Sequence, residues 1–161
     1  MKFIIQEKQN DWDFKFNIIY RAEEYSFDVE ESIEGHDFTS IMVNDLQLEI
    51  NDEGKIIYAW GYCPLIEFAK TDEFPREYKS CNLVAILDKP PIPGISYRIN
   101  ETERWPIYIN KKKGWVCIGS PNTKNKQLIE FAPNCIATME GQEIIAVWLH
   151  PKKLSSVLFS Y

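Results

Sequence analysis

Apolar side chains recur at every second position through much of this chain, the spacing that sets one face of a β-strand against a core and leaves the other in water. Phe14, Phe16, Ile18 and Tyr20 alternate with Lys15, Asn17 and Ile19, and Tyr25, Phe27 and Val29 resume the pattern after the polar stretch Arg21 to Glu24. The two runs are expected to pair as a hairpin with acidic side chains on its other face. Leu46, Leu48 and Ile50 alternate with Gln47, Glu49 and Asn51, and Asn51-Asp52-Glu53-Gly54 then supplies a turn with glycine where a positive φ is wanted. Ile56 to Tyr62 is the returning arm of what reads as the clearest hairpin in the chain.

Farther along, residues 82–87 form a continuous apolar run that ends at Asp88-Lys89-Pro90-Pro91-Ile92-Pro93-Gly94, where the prolines withhold amide donors. Short strands are expected at 95–99, 105–109, 115–118, 127–131, 135–139 and 143–149, with lysines 111–113 at a hairpin tip and 64–80 as an irregular excursion. Only 28–39 and 151–159 have helical potential, the second because Pro151 suits a first helical turn. Leu-Ile-Glu-Phe-Ala occurs twice, at 65–69 and 128–132, but its flanks do not match, so it is not a structural repeat. The pattern predicts a mainly β fold: a single-domain antiparallel sandwich or barrel of about ten short strands over residues 1–161, with at most one or two short helices. An α+β arrangement is the alternative.

The composition agrees, since 161 residues with 45% hydrophobic and 14% aromatic side chains suffice for a packed core. Apolar runs fall far short of the roughly 20 residues that a membrane helix requires, and no cleavage site follows Phe3-Ile4-Ile5. No membrane association and a cytoplasmic location are therefore expected. Cys63, Cys81, Cys117 and Cys135 lie among apolar neighbours and read as free thiols in the core.

Charge changes the picture more. The net charge is −6, but residues 1–53 carry 4 basic and 14 acidic side chains, whereas 54–161 carry 14 basic and 10 acidic. Such asymmetry speaks to partners, because summed surface charge steers association.

Several chemistries are weighed against this background. A zinc site draws on cysteine and on His36 and His150, but the cysteines are separated by 18, 36 and 18 positions, unlike the close ligand pairs of structural zinc sites. No metal and no cofactor are expected. A cysteine nucleophile needs an imidazole and a local signature, and Trp60-Gly61-Tyr62-Cys63-Pro64 has no such signature. The carboxylates of the first third crowd into a polar segment, where they stay hydrated rather than desolvated for acid–base work. The 7 glycines are scattered, so no phosphate cradle forms, and the acidic excess opposes nucleic-acid binding.

The leading expectation is a small non-catalytic binding protein that captures a basic partner protein through Glu23, Glu24, Asp28, Glu30, Glu31, Glu34 and Asp37, with Tyr25, Phe27 or Phe38 as an aromatic anchor. Immunity-type inhibitors use this logic, a compact acidic domain masking the cationic active site of a nuclease, although no motif here identifies a particular family. The alternative is a small enzyme or ligand-binding barrel with a pocket at Tyr58, Trp60, Tyr62 and Cys63, three of which share one strand parity. A third expectation is self-assembly through exposed strand edges.

Overall fold

In the computed structural model, residues 1–8, 17–30, 39–100 and 102–154 are described. Alternating apolar side chains put most of them into strands. The first half of the chain contributes β1 (Lys2–Glu7), β2 (Ile18–Arg21), β3 (Ser26–Val29), β4 (Thr39–Val43), β5 (Leu46–Ile50), β6 (Ile56–Tyr62) and β7 (Ala69–Lys70). The second half contributes β8 (Lys79–Ile86), β9 (Tyr97–Arg98), β10 (Ile107–Asn110), β11 (Trp115–Gly119), β12 (Gln127–Ala132), β13 (Cys135–Glu140) and β14 (Glu143–Leu149). A short 3-10 turn, Ala22–Glu24, links β2 to β3.

These strands build two sheets that do not close into a barrel: a large one in the order β1-β8-β12-β13-β14-β11-β10-β7 and a small one in the order β2-β3-β6-β5-β4-β9. The architecture is a β sandwich. Most pairs are antiparallel, with β7–β10, β8–β12 and β4–β9 as short parallel contacts of two residues each. Their inward side chains merge into one core, with Phe27, Ile41, Leu48 and Ile56 from the small sheet and Leu83, Ile129, Phe131 and Val147 from the large one. Burying each such side chain contributes about 1.5–3 kcal/mol. The opposite face of the large sheet has its own cluster, in which Trp148 is covered by Trp115 and donates its indole N–H to Thr138 Oγ1 at 3.0 Å.

The 46–62 hairpin forms as its sequence predicts. Asn51 Oδ1 accepts the amides of Glu53 and Lys55 at 3.0 and 2.9 Å, and Gly54 turns the chain at φ 87°. The 28–39 helix expectation is corrected at both ends, because Asp28 and Val29 belong to β3 and Thr39 opens β4; residues 31–38 lie outside the described residues. The β2–β3 hairpin is present from Ile18 onward, while Phe14 and Phe16 lie outside the described residues, as does the stretch from 155 of the expected 151–159 helix. Among the described residues no helix is long and apolar enough to cross a membrane.

Candidate functional site

Three pieces of chain leave the small sheet at the same end. Arg21 lies opposite Ser26 and Ser26 opposite Tyr62, so the 22–25 turn emerges beside the exit of β6. Val43 lies opposite Leu46 and Leu46 opposite Gly61, which brings the Asn44-Asp45 turn to that end as well. The amide of Cys63 donates to Tyr25 O at 2.7 Å and ties the first turn to the chain leaving β6.

Two loops then face each other across an open groove of about 470 Å³. One wall is the segment after β6. Its anchor is the hydroxyl of Tyr20, which donates to Cys63 O at 2.9 Å and accepts the amide of Leu65 at 3.1 Å. Burial raises the Tyr20 phenol from its ordinary 10.0 to about 12, so it stays protonated and keeps both roles.

The other wall is the segment before β10, held by two buried asparagines. Asn44 takes the left-handed conformation at φ 54°, which asparagine tolerates in a tight turn. Its Nδ2 donates to Trp105 O at 3.0 Å, and its Oδ1 accepts the Trp105 amide at 2.9 Å and Asn100 Nδ2 at 2.6 Å. Asn100 Oδ1 accepts the Asn44 amide in return at 3.1 Å, while Nδ2 also donates to Glu103 O at 3.1 Å. Gly119 supports this wall from below, donating its amide to Pro106 O at 2.9 Å. Any side chain at Gly119 would collide with the backbone at Ile145 O and Ala146 Cα.

The groove is lined on its apolar side by Pro64, Ile66, Trp105, Pro106 and Ile107. Its polar groups are Asn44, Glu67 and Arg104, the last paired with Asp45 at 3.1 Å in a solvent-accessible bridge. Ile66 is 68% accessible, and Tyr25 and Tyr62, 43% and 50% accessible, lie at the same end of the small sheet. The groove opens broadly to solvent, and its lining mixes apolar and polar groups between walls that hydrogen bonds hold in place.

The acidic residues singled out from sequence have separate fates. Glu23 and Glu24 are exposed on the 3-10 turn, and neither has a cation partner among the described residues. Asp28 is engaged, its Oδ2 bridged to Arg21 Nε at 3.2 Å and its Oδ1 accepting the Val29 amide at 2.9 Å. Glu30 lies 3.6 Å from Lys152 Nζ and accepts Asn17 Nδ2 at 3.1 Å. Glu31, Glu34 and Asp37, with His36 and Phe38, lie outside the described residues. Phe27 is buried in the core and offers no surface anchor.

The aromatic residues are also divided. Tyr58 and Trp60 lie opposite Glu49 and Gln47 on the outer face of the small sheet, and the Trp60 indole donates to Glu49 Oε1 at 2.6 Å. Tyr62 ends β6 and is exposed. Cys63 is packed in the core, and burial raises its thiol from 9.0 to about 12, which keeps it a protonated thiol at neutral pH. His150 follows β14 and stacks on Trp115 at 4.4 Å. The open space begins one residue later, at Pro64. Sequence reasoning overlooked Asn44 and Asn100; the available signal was the two-residue Asn44-Asp45 turn between two apolar runs, a hairpin signature.

Among the described residues no three His, Cys, Asp or Glu side chains converge as metal ligands would. All four cysteines are free and buried. The chain matches no protein-family model and no curated protein.

Proposed function

We propose that this is a non-catalytic cytoplasmic binding protein that captures a basic partner protein at the groove end of the small sheet. The observation that carries this reading is the pairing of Glu23 and Glu24, which have no cation partner among the described residues, with exposed Tyr25 and Tyr62 on backbone held in place by hydrogen bonds. Accessible carboxylates accelerate encounter with a cationic surface, and aromatic side chains beside them supply contact area at low entropic cost. Free buried thiols fit a reducing compartment.

Carbodiimide coupling tests the reading, because it joins carboxylates only to amines that touch them. Coupled in an extract of its native source at low salt, the protein is expected to link through Glu23 or Glu24 to a lysine-rich partner. A Glu23→Lys/Glu24→Lys variant is expected to lose that product. The same product from the variant, or linkage scattered over Asp52, Glu53 and Glu77 without preference for the turn, would defeat the proposal.

A further inference from the structure

The groove invites a more specific statement, which rests on the binding-protein reading. We infer that the space between residues 64–67 and 104–107 takes one large apolar side chain from an extended segment of the partner, and that a lysine or arginine stands next to it in that segment.

Three features of the groove lead there. Its surface is apolar where a side chain would rest, on Pro64, Ile66, Trp105 and Pro106, and Ile66 stays 68% accessible although neighbouring Leu65 is buried. Its volume of about 470 Å³ falls within the range of roughly 300–1,000 Å³ of natural ligand pockets. Both walls are fixed by buried hydrogen bonds, through Tyr20 on one side and Asn44 with Asn100 on the other. A preformed cleft of this kind saves the ordering cost that a mobile loop would incur on binding.

Charge selects the flanking residue. Glu67 stands exposed at the lip, Arg104 and Asp45 offset each other across their bridge, and Glu23 and Glu24 extend from the neighbouring turn. Counted with Arg98, which donates to Asn44 O, these side chains still sum to a net negative charge. A carboxylate beside the inserted side chain would meet Glu67, whereas an ammonium or guanidinium gains from it. The pocket and its rim thus ask for the same segment, an apolar anchor with a cation at its side; aromatic side chains and arginine are the types enriched where interface energy concentrates.

The test uses the full ¹⁵N-labelled chain and three capped pentapeptides: tryptophan between two lysines, glycine between two lysines, and tryptophan between two glutamates. The first is expected to produce saturable shifts at the amides of Ile66, Glu67 and Trp105, with the other two about tenfold weaker. Ile66→Ser, at an exposed position that leaves the fold intact, is expected to weaken the first peptide to a similar degree. Equal binding by the glycine peptide overturns the groove inference and leaves the acidic-turn reading standing. Equal binding by the glutamate peptide overturns the choice of flanking charge. Concentration-dependent broadening of the same amides without peptide overturns the inference in favour of a second copy of this chain. A tryptophan–lysine peptide that fills the groove yet ignores Glu23→Lys/Glu24→Lys upholds the groove and overturns the acidic-turn reading.

Discussion

The pentapeptide Leu-Ile-Glu-Phe-Ala appears twice, and the two copies have opposite fates. At 128–132 it lies in β12, where Ile129 and Phe131 are fully buried, Leu128 joins the outer cluster and Glu130 accepts Ser80 Oγ at 2.7 Å. At 65–69 it forms the lip of the groove, with Leu65 buried and Ile66 and Glu67 in water. Local propensity is identical, so it cannot explain the difference. The second copy has partners on both sides, β13 along its length and β8 at Ile129 and Glu130. The first follows Pro64, which has no amide to give a ladder; the Tyr20 phenol holds its Leu65 end, and its last residue, Ala69, pairs with Tyr108 of β10. An isoleucine is core or contact surface according to what the rest of the chain brings beside it.

Substitution at the two isoleucines gives the widest separation. Ile129→Ala should cost about 2–5 kcal/mol, because it opens a cavity between the sheets. Urea unfolding measures this, and a loss below about 1 kcal/mol would contradict the burial described. Next is the wall opposite the lip: Asn44→Gly keeps the left-handed turn but removes the amide that holds Trp105 and Asn100, at an expected cost of about 2–4 kcal/mol. Amide exchange at Trp105 should accelerate in that variant, and unchanged protection would argue against the asparagine clamp.

A smaller effect is expected where the first copy is anchored. Tyr20→Phe leaves Cys63 O and Leu65 N without their shared partner, for about 1–3 kcal/mol. Titration reports on the same contact. Burial raises Tyr20 from 10.0 and Cys63 from 9.0, each to about 12, so the unfolded chain releases these protons first as the pH climbs. Their contribution is complete below pH 9 for Cys63 and pH 10 for Tyr20 and is lost as pH rises through about 12. The unfolding midpoint of the native chain should fall between about pH 8 and about pH 11, and more shallowly for Tyr20→Phe. A flat profile in the native chain would refute the assignment. The smallest change is expected at Ile66→Ala, within about 0.5 kcal/mol of the parent in urea unfolding. A loss approaching that of Ile129→Ala would mean that the lip is core after all.

The same contrast governs how much was legible from sequence. The 46–62 hairpin was readable because alternation, the Asn51 turn and Gly54 all lie within one short stretch. Strands β12, β13 and β14 were readable for the same reason, being successive and joined by short turns. Strand β4 was hidden, since Thr39-Ser40-Ile41-Met42-Val43 has no clean alternation and both its neighbours bury it. The groove was hidden more deeply, because Asn44 and Asn100 read as ordinary loop residues until 56 positions of chain are folded between them. Likewise Asp28 and Glu30 resemble Glu23 and Glu24 in sequence, and contacts with Arg21, Asn17 and Lys152 distinguish them.

Two properties belonged to the sequence alone: a chain built of β-strands and an acid-rich first third, since alternation and charge are written residue by residue. Tertiary structure decided which carboxylates find cation partners among the described residues, which copy of the pentapeptide lies wholly within a strand, and where two loops face each other across open space. Those outcomes depend on hydrogen bonds and ion pairs between segments far apart in the chain, and such contacts arise only when the sheets close over their shared core.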